Sequence, residues 1–185
     1  MRIGYPLPTS VDVCGVDVPI NISHRCGIRV ASILDDPAID SEVATIAVLE
    51  NYFFGVNVPI TDELWDAAMW FFFCGSPPKV KRPSHKTAPK AARVWDWEID
   101  AWMLVADFQR DYGLDLTDPE MNLHWWRFKA LYDGLGDTSY TFWVKGVRSR
   151  SLSDCKSKDE RETLRRQKQA VKLPPRTASE VTLEI

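Results

Sequence analysis

No apolar run in these 185 residues approaches the ~20 that a membrane-spanning helix needs. The opening MRIGYPLPTS lacks the basic start and the apolar core of a signal peptide, so an intracellular chain without membrane contact is expected. Cysteine is scarce: Cys14, Cys26, Cys74 and Cys155 never form a C-x-x-C pair, which argues against zinc ribbons and redox pairs and leaves free thiols. The nine glycines never gather into a phosphate-cradling loop. No G-x-S-x-G elbow and no nucleophile with a base beside it appears. An enzyme is therefore not expected, and no cofactor is.

What is present is aromatic and unevenly charged. With 45% hydrophobic and 26% charged residues the chain can bury a sizeable core, and disorder over its whole length is not expected. Eight tryptophans and eight phenylalanines exceed what a core of this size requires, and they cluster in 65–73, 95–108 and 125–143. Large aromatics in excess feed deep cores or interfaces. The net charge of −3 hides a strong asymmetry: residues 1–74 hold three basic and ten acidic side chains, and 75–94 hold six basic and none acidic. The remainder, 95–185, holds fourteen basic and sixteen acidic.

The pattern predicts a mainly α fold: an N-terminal β-hairpin followed by helices, a basic proline-rich linker, and a C-terminal helical module. The corresponding divisions are 1–75, 76–94, 95–173 and a flexible tail at 174–185. VDVCGVDVPINI alternates on either side of Cys14-Gly15, a two-residue hairpin signal. Helical spacing follows over 25–34 and 41–54, and a third helix is expected from Thr61 or Asp62 to a stop at Gly75. Its last turns, 67–74, are apolar all round, so they are enclosed or covered by another subunit. Residues 76–94 combine prolines with cations and few large apolar groups, which marks an exposed linker.

In the second half, a helix is expected over 95–112, with Asp96, Asp100, Asp107 and Asp111 forming a narrow solvated stripe. Such an acidic ridge can dock the basic linker or the basic last helix. Thr117, Pro119 and Glu120 fit the start of the next helix as a capping box. On it Met121, Trp125, Phe128, Tyr132 and Leu135 share one arc, while Trp126 falls on the far side and needs a second surface, either the Trp97 and Phe108 face or a partner. Residues 139–152 fit strand or helix equally. The last element, around KSKDERETLRRQKQAVK, has strong helix formers and few apolar groups.

Three groups of residues invite a chemical role. Glu120 and His124 lie four apart, but the di-metal carboxylate pattern needs Glu-x-x-His from two helices. Cys14, His24 and Cys26 offer three soft ligands without a fourth. The cations of 79–93 can meet phosphates, yet they lack interleaved aromatics for stacking and are flanked by acidic regions. Metal and nucleic-acid binding are therefore disfavoured.

The segments DFQRDYGLDLTDPEMNLHWWRFKALYDGL, KGVRSRSLSD and KDERETLRRQKQ carry a resemblance. They are similar to the bacteriophage gene-product-fifteen family of siphophages and their prophages at Tyr112 to Leu116, at the His124 to Phe128 tryptophan pair, at Gly146 to Arg148, and at Lys158 to Arg161. This chain departs in carrying Asn122-Leu123 before His124 and Val147 inside the Gly-x-Arg. The resemblance implies a product made between the major tail protein and the tape measure protein, where long-tailed phages encode tail assembly chaperones. The implied partners are the tape measure protein and the major tail protein, with a homo-oligomer expected and the bacterial host cytoplasm as the setting. The residues expected to meet partners are Phe72, Trp126, Arg127, Lys129, Arg148, Arg161 and Arg165. A structural component of the mature tail or its tip, and a nucleic-acid-binding phage regulator using the basic linker, are the alternatives.

Overall fold

A computed structural model describes residues 4–76 and 93–175. The expected basic linker and tail thus lie almost wholly outside the described residues. Among these, the elements run β1 (Ser10–Val13), β2 (Val16–Pro19), α1 (His24–Leu34), α2 (Ser41–Phe53), α3 (Asp62–Phe72), α4 (Ala101–Tyr112), α5 (Trp125–Asp133), α6 (Tyr140–Ser149), a 3₁₀ turn (Leu152–Asp154) and α7 (Lys158–Ala170). The fold is mainly helical with an N-terminal antiparallel hairpin. The chain forms two compact units, Met1–Thr87 with Glu120–Gly134, and Ala88–Pro119 with Leu135–Ile185.

In the first unit the hairpin closes on the Val13 and Val16 pair, which leaves Cys14-Gly15 as the two-residue turn. Both turn residues have positive φ, 53° and 82°, the combination a right-twisted hairpin requires. Val11 and Val18 point inward and are buried, and β1 packs on α3. The three following helices begin at side-chain caps: Ser23, Asp40 and Thr61 each accept from a backbone N–H of the first turn. After α3, Cys74 and Gly75 both have positive φ, so the helix stops there.

The helix α5 also belongs to this unit, which separates it from the C-terminal module in which the sequence pattern puts it. Its start differs from expectation as well. Thr117 donates its hydroxyl to Asp115 at 2.6 Å instead of capping a helix. Just before the tryptophan pair the chain runs extended beside Ile22 and Ser23: His24 N–H donates to Leu123 O at 2.8 Å, and Trp125 N–H to Ile22 O at 2.7 Å. A backbone pinned in that bridge cannot be helical, so α5 begins only at Trp125, and Met121 drops off its arc. His124 is the cap, with Nδ1 accepting from Trp126 N–H at 3.0 Å and Nε2 lying 2.9 Å from Pro8 O.

In the second unit α4 starts at Ala101, six residues later than periodicity suggests. Asp96 accepts from the N–H groups of Glu98 and Ile99 at 2.9 and 2.7 Å, and Asp100 accepts from Asp96 N–H at 2.9 Å. These local bonds offer the backbone an alternative to the helix. The segment left open between strand and helix is α6, which starts from a Ser139 cap. α7 starts from a Ser157 cap, and its one buried residue is Leu164.

Candidate partner interface

Two indole groups end α3. A helix leaves its last carbonyls short of donors. Here Trp125 Nε1–H donates to Phe72 O at 2.8 Å, and Trp126 Nε1–H donates to Phe71 O at 2.7 Å. The ring of Trp125 stacks on Phe72 and on Phe128, each at 5.4 Å between centroids. Its other contact is Gly27 of α1, where a Cβ would stand 2.1 Å from the ring. Trp126 meets Trp70 at 5.4 Å and Phe71 at 5.9 Å and keeps only 6% of its surface. The surface that covers Trp126 is thus the end of α3, rather than the Trp97 and Phe108 face or a partner. The same packing encloses part of the all-apolar stretch 67–74: Phe71 is buried and Phe72 half-buried.

The aspartates expected as a solvated stripe are mostly interior. Asp96, Asp100 and Asp107 are buried, and each has a specific partner. Arg148 faces Asp100 through both terminal nitrogens, with Nη2 to Oδ1 at 3.0 Å. The same guanidinium donates to Val94 O at 3.2 Å and Val171 O at 2.7 Å. Asp107 accepts from Tyr140 N–H at 3.0 Å and Thr141 N–H at 2.8 Å, which caps α6 with a negative charge at its positive end. Burying these carboxylates is tolerable because the donors replace water. The arrangement fixes α6 against α4.

That fixing presents an aromatic platform. Trp102 is 57% exposed, and Tyr140 and Trp143 are 39% each. Their rings touch in sequence: Trp102 to Tyr140 at 5.4 Å, and Tyr140 to Trp143 at 5.5 Å in a nearly parallel stack. Ile99 and Phe142 are exposed nearby in the chain. Contiguous exposed aromatics on rigid helices are uncommon on a surface that meets only water, and they carry binding energy well because few rotamers are lost.

The other residues expected at a partner surface divide. Arg127 is exposed on α5, and Lys129 pairs with Asp133 one turn on, with its ammonium 5.8 Å over the Tyr132 ring. Arg148 is internal, with a side chain only 8% exposed. Arg161 and Arg165 are exposed on α7, and Arg161 also reaches Leu152 O at 3.4 Å. The platform residues Trp102, Tyr140 and Trp143 were not singled out by sequence. A signal existed in the Ser139 cap followed by aromatics three apart at Tyr140 and Trp143.

The possible metal ligands are occupied otherwise. Both ring nitrogens of His124 face backbone groups. Cys14 sits in the exposed hairpin turn, whereas Cys26 is buried and donates to Asn51 O. Burial pushes the Cys26 thiol up to about 12 and that of Cys74 to about 11. His24 is buried against Phe128, and desolvation, with Arg25 adding to it, lowers its pKa. No helix among the described residues is long and apolar enough to cross a membrane.

A family model described as Bacteriophage Gp15 protein matches residues 4–173. No curated protein and no solved structure matches the chain.

Proposed function

The chain belongs to the bacteriophage Gp15 protein family and is a phage protein, and from that premise we propose that it is a tail assembly chaperone. In this reading it works in the bacterial host cytoplasm, holding the tape measure protein before the major tail protein polymerises around it. It binds and releases, and performs no catalysis. The observation that carries the reading is the platform of Trp102, Tyr140 and Trp143, exposed on helices that buried aspartates hold in place. A chaperone needs apolar surface that stays soluble when empty and is covered when loaded. Three exposed aromatics in contact on two helices supply such a surface.

The test is co-purification of the chain with the tape measure protein of the same phage. Trp102→Ala with Trp143→Ala removes two exposed rings, so the fold should persist with an unchanged circular dichroism spectrum. Loss of hot-spot residues typically costs ~2 kcal/mol or more, equal to about a 30-fold fall in affinity. Binding that survives the double substitution sinks the platform as the contact surface. Mass spectrometry of purified virions addresses the other half: a chaperone is missing from them, whereas a stoichiometric amount identifies a structural tail component.

A further inference from the structure

Two exposed helix faces, one in each unit, are complementary in charge and spacing. On α7, Lys158, Arg161 and Arg165 are spaced three and four apart, which sets them within about 60° of one another on the helix. All three are exposed. Two acids of this helix are already paired, Glu160 with Arg150 and Glu162, which borders the basic face, with Arg166. No salt bridge among the described residues engages Lys158, Arg161 or Arg165.

On α2 the exposed face is Glu42, Val43, Ile46 and Glu50. The helix contains no basic residue, so neither glutamate has a partner one turn away. Val43 and Ile46, 47% and 43% exposed, lie between them. The spacings agree. Lys158 and Arg165 are seven residues apart, and Glu42 and Glu50 eight, or about 10 and 12 Å along the axes at ~1.5 Å per residue. Arginine and lysine stems are aliphatic and can lie over apolar side chains while their heads reach the flanking carboxylates.

We propose that the chain self-associates head to tail, with α7 of one copy docking on the acidic face of α2 in a second copy. The two faces differ, so each copy keeps one of each free for a further neighbour, and the contact builds a ring or an open row. The chemistry favours a second copy over a nucleic acid. The α2 face sets an apolar strip, Val43 and Ile46, between its carboxylates for the arginine and lysine stems to lie on, which a phosphate backbone lacks, and residues 1–74 supply ten acidic side chains against three basic.

Sedimentation velocity of the full chain tests this. Association should be strongest at low salt and fall as salt rises, because exposed charges are screened within about 10 Å at 0.1 M ionic strength. Arg161→Glu with Arg165→Glu should weaken self-association about ten-fold or more, as should Glu42→Lys with Glu50→Lys in a separate variant. Mixing the two variants should restore association, since each then meets a face of opposite sign. A wild-type chain that stays monomeric at low salt overturns the proposal. So does a mixture that stays apart, or an α7 variant that associates like the parent. A duplex DNA oligonucleotide that binds the monomeric parent through the same arginines overturns it as well, in favour of a polyanion site. Retained tape measure binding by these variants separates this contact from the aromatic platform.

Discussion

Replacing Gly27 by alanine should destabilise the first unit, against the usual effect of that change in a helix. Gly27 lies inside α1, where alanine is favoured over glycine by up to ~1 kcal/mol. The new Cβ would stand 2.1, 2.3 and 2.7 Å from three ring atoms of Trp125. Carbon atoms pack best at ~3.5 to 4.0 Å, so ring or helix must retreat by roughly 1.5 Å. The ring has little freedom, because it stacks on Phe72 and Phe128 and donates its N–H to Phe72 O. Overpacking of this kind costs ~1 to 3 kcal/mol, and the strained hydrogen bond and stacking add about 1 kcal/mol each. After subtracting the propensity gain, a net loss of about 2 to 4 kcal/mol is expected. Urea unfolding followed by circular dichroism measures it. In a Trp125→Ala background the penalty should shrink by more than ~1 kcal/mol, since the ring that clashes is gone. A midpoint equal to or above the parent's would refute the close packing of α1 on α5.

Asp100→Ala leaves the Arg148 guanidinium buried without its carboxylate and should cost ~3 to 5 kcal/mol, read as a lowered melting temperature. Trp126→Ala should behave as a core truncation, with a loss of ~3 to 5 kcal/mol rather than a selective loss of partner binding. Asp107→Ala removes the carboxylate that accepts from the Tyr140 and Thr141 N–H groups, leaving Ser139 as the cap of α6, and should cost ~0.5 to 2 kcal/mol, with a smaller helical signal. His24 has a folded-state pKa below its ordinary 6.5, so the unfolded chain binds the proton more readily. Its contribution is fully present above pH 6.5 and is lost as pH falls through the folded-state value. Chemical denaturation at pH 7.5 and 5.5 should show that decline, and His24→Phe should flatten it. An unchanged slope would remove His24 from the account.

The elements readable in the sequence are those decided by neighbours along the chain. The hairpin announced itself because valine alternation and Cys14-Gly15 are local, and the α1 to α3 helices because their periods, and the Thr61 cap of α3, are. Trp125, Phe128 and Tyr132 share an arc whatever the helix packs on, so their burial was legible too. What was missed depends on distant partners. Four aspartates on one face look solvated until Arg148 arrives 48 residues after Asp100. The helix start at Thr117 had suitable residues, but Ile22 and Ser23 take that backbone into an extended pairing from about a hundred residues away. Trp126 found its cover in the carbonyl end of α3, which no periodicity displays. The platform was missed for the opposite reason: the spacing of Tyr140 and Trp143 after Ser139 marks a shared helix face, and only packing shows that Trp102, Tyr140 and Trp143 stay outside.

The return of α5 to the first unit has a consequence for how the chain is made. Gly27 and Trp125 are 98 residues apart, so the ring that fills the space over Gly27 arrives long after α1 to α3 have been synthesised. Until then Phe72 lacks its stacked neighbour, the last carbonyls of α3 lack their indole donors, and a wide apolar surface faces water. Contacts of such long range are formed late and slowly. A nascent chain halted before residue 125 is therefore a sticky, incomplete object, and the unit begun first in translation stays open until its last helix, Trp125–Asp133, has been made.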